Sequence, residues 1–302
     1  MLNRIAFFRE RGWTEISAAD YAACWQTHGG SVATHPAFVE RLSALVEIPV
    51  RYLGWYAPEL VAAIPTWGRH LALSRTALKE RGKKRWFDLG NAEIILPAAP
   101  LTENAPKIPL RHAAQYLSAR NTPTFSGLRT QAETFALLKA PDALSAKFRY
   151  NQRRLVRQIE TAGGVIKPIR DFSPEQLAAF YLDLFQRRWG FPAAGAEHMA
   201  KVFTLLFDWM TGFVLFMQDA PMALQVLYRV ESPQWISVEY VNGGFDPAML
   251  DLSPGSALIY LNTEAARQDA EAAGKALRYS FGRYESGYKA LWCQPETVFT
   301  AG

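Results

Sequence analysis

Cysteine is scarce. Cys24 and Cys293 are the only thiols in 302 residues. Two isolated thiols in so long a chain build no disulfide framework, and they suggest a reducing, cytoplasmic setting. Long apolar runs are also missing. Gly212 to Met217 comes closest and is interrupted by Gln218 and Asp219, far short of the ~18 residues that a spanning helix needs. Residues 1–11 break into charge too soon to read as a secretory signal. A soluble or membrane-peripheral chain is therefore expected. The five histidines, His28, His35, His70, His112 and His198, show no metal-ligand spacing, and no zinc pattern exists, so no metal is expected. There is no Walker loop, G-x-G-x-x-G or G-x-S-x-G, which removes the common nucleotide and serine-hydrolase signatures.

What is present is apolar bulk and a mild positive excess. Hydrophobic residues make up 49%, with nine Trp and eighteen Phe, enough to fill the cores of two ordinary domains at this length. The net charge is +5. That balance favours anionic partners in general: phosphorylated cofactors, acidic lipid headgroups or nucleic acid. No nucleic-acid motif accompanies it.

Periodicity and punctuation divide the chain into two α/β halves, 1–140 and 141–302, of similar plan. In the first, helices are predicted over 18–28 and 37–46 and strands over 51–56 and 60–64, with an extension at 68–73. A basic loop follows at 79–85, then a strand at 91–96 and a Pro/Ala-rich connection at 97–109. A helix at 112–119 and short strands at 123–128 and 134–138 close that half. The second half is predicted as a helix at 145–162, a strand at 165–169 and a helix at 173–189. Ser173, Pro174 and Gln176 give that last helix an N-cap, a first-turn proline and a capping box. A helix at 197–210 precedes strands at 212–217, 223–230 and 235–241. A helix from about 256 to 273, stopped by Gly274, leads to a strand at 277–281.

Three places could carry chemistry. On helix 145–162, Phe148, Gln152, Leu155 and Ile159 share one face at helical spacing. Lys147, Arg149, Arg153, Arg154 and Arg157 lie opposite, with no acid until Glu160. A solvated face and an anion-binding face both fit, and Arg suits bidentate phosphate or carboxylate contacts. Next, Ser253-Pro254-Gly255-Ser256 opens a helix with small residues and hydroxyls. Such a terminus offers free N–H groups and a positive dipole end to an anion, although an ordinary N-cap reads the same way. Finally, Phe281 to Lys289 ends a strand with polar side chains between glycines. Glu285 is the candidate proton acceptor and Tyr288 the candidate donor to a leaving group, with Arg283 or Lys289 fixing an anionic substrate. A terminal turn with a salt bridge is the plainer alternative. Glu239 and Tyr240 alternate on a strand, so one faces the core and the other a surface or cleft.

These features occur together, in order, in a known family. The segment 147–157 with Gly163-Gly164 is similar to the basic helix of CelD/BcsL-type acetyltransferase-like proteins. Gly244 to Pro247, Ser253 to Gly255, Phe281 to Arg283, Glu285, Tyr288 and Lys289 resemble that family's C-terminal half. The resemblance covers 145–289 and places the chain in the GCN5-related N-acetyltransferase (GNAT) superfamily, with Fem-type aminoacyl transferases as its tandem-domain relatives. It implies two GNAT-like α/β (α+β) domains, each with a mixed, mostly antiparallel sheet flanked by helices. It also implies an acyl-CoA or aminoacyl donor held at Ser253, Gly255 and Ser256, and an amine or hydroxyl acceptor. Two departures stand out. The superfamily's Arg/Gln-x-x-Gly-x-Gly/Ala loop is absent, and Ser280 replaces the acid that often precedes Phe-Gly-Arg. More narrowly, Phe8 to Trp13, Gly29 to Pro36 and the chain length resemble the bacterial Mig antimicrobial-resistance family. That resemblance implies resistance to cationic antimicrobial peptides and peripheral association with the inner membrane and its anionic lipids. A non-catalytic resistance factor on a degenerate transferase fold is the alternative.

Overall fold

A computed structural model describes residues 10–285 and 287–302. The start of the Phe8 to Trp13 motif, most of the stretch read for a signal, and Ser286 lie outside those residues. Two sheets organise the chain. The smaller is an antiparallel meander of β1 (Trp13–Ile16), β2 (Arg51–Tyr56), β3 (Leu60–Trp67) and β4 (His70–Leu71). Helices α1 (Ala18–His28) and α2 (Pro36–Leu45) lie between β1 and β2, and α3 (Arg75–Glu80) follows β4.

The larger sheet has eight strands in the order β5-β12-β6-β11-β10-β9-β8-β7. They are β5 (Ala114–Ser118), β6 (Arg129–Leu138), β7 (Gly164–Pro168), β8 (Phe213–Met217), β9 (Ala220–Glu231), β10 (Trp235–Phe245), β11 (Ala276–Arg283) and β12 (Cys293–Ala301). Every pairing is antiparallel except β10 with β11. A parallel pair needs a crossover, and α7 (Pro254–Ala272) supplies it. Helices α4 (Ala146–Thr161), α5 (Pro174–Trp189), α6 (Met199–Leu206) and α8 (Tyr288–Trp292) complete the set.

Both faces of the large sheet are covered, so its central strands are apolar on both sides. Val214, Phe216, Leu224, Val226, Tyr228 and Val230 pack toward α2, α5 and α6. Leu215, Ala223, Leu227 and Val238 point the other way, toward α7 and α4. Helix α5 approaches β10 closely at Gly244, where an added Cβ would sit 2.6 Å from the Leu184 carbonyl carbon and the Phe185 nitrogen. The mixed, helix-flanked architecture is the one expected.

Several local expectations are corrected. Residues 112–119 do not form a helix, because Ala114–Ser118 pairs with β12 as a strand. Residues 123–128 form no strand; a single turn of 3₁₀ helix at Ala119–Asn121 precedes them, and β6 begins earlier than expected, at Arg129. Residues 91–96 contribute only a bridge, Ile94 to Leu117. The helix expected over 197–210 is α6 with 3₁₀ turns on either side. Part of the basic loop is α3, and α7 starts at Pro254 rather than Ser256. The segment after Tyr288 is a short helix and a full strand, neither of which was expected.

Candidate functional site

The parting of β10 and β11 defines the site. The two strands pair only from Trp235/Ala276 to Glu239/Ser280. Beyond that point β10 continues along β9 with a bulge between Tyr240 and Asn242, while β11 turns to β6. The Ser280 hydroxyl donates to Glu239 Oε1 (3.0 Å) and accepts from the Gly282 N–H (3.0 Å). This stitch holds the last paired residues where the strands divide.

The opened wedge is a cleft of about 230 Å³. Tyr240, Gly243 and Phe245 of β10 form one wall, the head of α7 from Ser253 to Ser256 another, and Arg188 and Tyr288 close it. Ligand pockets run to roughly 300–1,000 Å³, so this one suits the reacting end of a donor rather than a whole coenzyme. Phe245 lines the cleft without plugging it, and Tyr260 belongs to a separate surface beside α4.

The alternation of Glu239 and Tyr240 is now resolved. Tyr240 lines the cleft, and Glu239 is buried on the opposite side. There the Glu93 N–H donates to Glu239 Oε2 (3.1 Å), and the Glu93 carboxylate accepts from Arg278. Burial holds the Glu239 carboxyl well above its usual range. Glu239 is a residue that the sequence could mark only as one of two strand positions.

The cleft's hydroxyls are kept protonated. Burial raises the Tyr240 phenol, while Arg188 and its hydrogen-bond partner Tyr288 pull it back. Burial likewise raises Tyr288. Both are therefore donors at neutral pH, not bases. At the head of α7, Ser253 takes a left-handed conformation (φ 48°), a strained state for a non-glycine residue. Its carbonyl accepts the Ser256 and Ala257 N–H groups, and Pro254 has none to give. That leaves the Gly255 N–H and two serine hydroxyls as donors at this end of the cleft, a smaller set than a glycine-rich phosphate loop presents.

The remaining site residues distribute as follows. Tyr288, Ser253, Gly255 and Ser256 meet in the cleft. Arg283 and Glu285 do not line it. They pair with each other, and Arg283 also holds Glu133 (3.0 Å). The Arg283 bond lowers the Glu285 carboxyl, keeping it ionised. Lys289 is tied to the backbone, donating to the Phe281 and Arg283 carbonyls (2.9 and 2.7 Å). On α4, Arg149 folds back onto the Pro141 and Leu144 carbonyls. Lys147, Arg153, Arg154 and Arg157 are exposed, and Arg153 and Arg157 border a shallow depression with Tyr150 and Tyr260.

Among the described residues, one cluster of potential metal ligands escaped sequence reading, because it joins residues distant in the chain: His70, Glu80 and His112. His70 Nε2 already bonds Glu80 (2.9 Å), and the two imidazoles stack nearly parallel with centroids 4.0 Å apart. Metal ligands bind through in-plane lone pairs, and parallel planes at this spacing do not converge on one ion.

The profile of the Mig-14 family matches residues 35–301. No curated protein matches the sequence. Among solved structures, FemX superposes with a TM-score of 0.53 at 11% identity, covering 95% of this chain and 96% of that one. L-PGS from Bacillus licheniformis gives a TM-score of 0.46 at 14% identity over 95% and 92% of the two chains. A tandem GNAT protein from the clavulanic acid pathway gives 0.39 at 11% identity over 96% and 97%. The fold is the one that FemX adopts, shared over nearly the whole of both chains.

Proposed function

This chain belongs to the Mig-14 family, and from that premise we propose that it is an acyl- or aminoacyl-transferase-related protein acting on an amine or hydroxyl of an envelope molecule or peptide, thereby contributing to resistance against cationic antimicrobial peptides. The observation that carries this reading is the cleft where β10 and β11 part. A splayed strand pair exposes unpaired backbone groups beside a helix N-terminus, and that arrangement suits a donor's carbonyl and an attached anion. The donor's acyl end, from acyl-CoA or an aminoacyl carrier, enters the wedge with its anionic part near Ser253, Gly255 and Ser256.

The acceptor's nitrogen or oxygen attacks the acyl carbon. The new C–N or C–O bond forms as the bond to the donor's sulfur or oxygen breaks. Tyr288 gives its proton to the departing atom. The acceptor's proton passes through water to Glu285, which its pairing with Arg283 keeps ionised. Positioning and proton transfer supply the catalysis, with no metal in the scheme. Calorimetric titration with acetyl-CoA and with aminoacyl donors tests the reading, and no binding at millimolar ligand overturns it. In an active preparation, Tyr288→Phe is expected to lower turnover about 10²-fold or more while leaving donor affinity unchanged.

A second reading has its own observation. Lys147, Arg153, Arg154 and Arg157 project from α4 with no carboxylate partner among the described residues. Such a surface gains roughly 1 kcal/mol per cation against anionic lipid, so the chain can act as a peripheral resistance factor without turnover. Co-sedimentation with anionic liposomes should fall steeply with salt, and changing all four residues to Gln should abolish it. Binding that survives the quadruple change removes α4 as the anchor.

A further inference from the structure

Arg188 stands out among the cations of the cleft because of what surrounds it. It is the next-to-last residue of α5, whose end is set by Gly190 in the left-handed conformation (φ 74°). Its guanidinium lies 4.4 Å from the Trp189 ring centroid and 4.8 Å from that of Phe245. Its Nη1 donates to the Gly243 carbonyl (2.8 Å). Two aromatic neighbours and a backbone carbonyl thus fix the fork. The neighbouring Arg187 is neutralised by Asp183 (2.9 Å) and Asp246 (3.0 Å). Among the described residues Arg188 has no carboxylate partner and no Asp or Glu lines the cleft.

A half-buried guanidinium held rigidly against aromatic rings lacks both full hydration and a counter-ion, and an oxyanion ligand supplies what is missing. The opposite wall adds to the same field, since the head of α7 turns its positive dipole end into the cleft. A volume of about 230 Å³ admits only a small group.

We propose that the ligand of this cleft carries a carboxylate or phosphate, and that Arg188 recognises it through the N–H groups left free by its contacts with the Gly243 carbonyl and the Tyr240 hydroxyl. The proposal rests on the transferase reading for what the cleft is for, but its chemistry can be tested separately. Ligand-observed NMR on the full chain would compare succinate with its neutral isostere succinamide, and glycerol 3-phosphate with glycerol. The expected result is a preference of about tenfold or more for the charged member of at least one pair. Which pair shows it distinguishes a carboxylate from a phosphate. Arg188→Gln should erase the preference. Arg188→Lys keeps the charge but loses the fork, and should retain only part of it.

Equal binding of charged and neutral members by the wild type overturns the assignment, and so does a preference that persists in Arg188→Gln. If the charged fragments bind as expected while acyl-CoA and aminoacyl donors do not, the transferase reading fails and the Arg188 assignment stands. If donors bind but no pair shows a preference, the assignment fails and the transferase reading stands.

Discussion

Glu239 shows how one residue's environment sets its chemistry. Its carboxyl accepts from Ser280 Oγ and the Glu93 N–H, and both bonds leave it deep in the structure. Burial raises its pKa above the ordinary 4.5, so folding favours the protonated form. The sign follows from linkage: as pH rises above the unfolded value, the unfolded chain ionises first and native stability declines. Gln has nearly the same shape and carries no charge, and with its oxygen on the Glu93 N–H its amide group can donate to Ser280 Oγ once that hydroxyl rotates. Glu239→Gln should therefore be no less stable than wild type at pH 7, and its advantage should grow with pH, as read by urea unfolding at several pH values. A loss of more than about 2 kcal/mol, the scale of an unsatisfied buried polar group, would show that the ionised carboxylate is the native form. The sequence displayed Glu239 and Tyr240 as neighbours on a strand. Only the covering of both sheet faces decides which of them meets the cleft.

At the scale of elements, the close approach of α5 to β10 positions Arg188 on the cleft. Gly244 is where the two backbones meet, and the clash of an added Cβ is with main chain rather than a movable side chain. Gly244→Ala should cost about 2–3 kcal/mol, in the range of core overpacking, and should loosen the cleft. Thermal melts of this variant beside Gly255→Ala make the contrast, because a Cβ at Gly255 meets only Phe245 at an ordinary 3.6 Å. Equal stability of the two variants would refute the steric argument. The α5 boundaries were readable from Ser173, Pro174, Gln176 and Gly190, since caps are local signals. The strands β5 and β12 were not. Ala114–Ser118 is too short to show alternation, and Tyr116 interrupts it with a left-handed φ of 61°. In β12, Pro295 argues against a central strand. It is tolerated because β5 reaches only Val298 to Ala301, leaving one side of Pro295 without a partner strand. Pairing between distant segments made these strands, and a local reading does not contain it. The site followed the same division: Ser253, Gly255, Ser256 and Tyr288 were legible as motif residues, whereas Arg188 sat in an ordinary amphipathic helix.

On the scale of the whole molecule, β5 and β6 come from the first 140 residues and share a sheet with β7 to β12, so both halves contribute to one sheet. His35 lies on a second seam between them. Its ring packs against Trp25 (4.8 Å), Phe38 (5.9 Å) and, from the second half, Trp209 (5.3 Å). Its Nδ1 is buried without a hydrogen-bond partner among the described residues. Burial first, and then the charge of Arg41, lower its pKa from 6.5 to about 4. Arg41 also stacks over Trp209 and pairs with Asp208 at 3.6 Å, so protonation of His35 would place a second cation on the same seam. As pH falls below 6.5 the unfolded chain takes up the proton and the folded chain resists it until about 4. Stability is therefore complete above the upper value and is lost progressively toward the lower one. At 1.36 kcal/mol per unit, the loss approaches ~3 kcal/mol, an upper figure for a group that retains some solvent access. His35→Leu should flatten this limb, giving urea midpoints that change less between pH 7 and pH 4.5 than those of the wild type. A wild-type midpoint that stays constant over that interval would mean that the imidazole is solvated in the fold and that the seam opens more readily than its packing indicates.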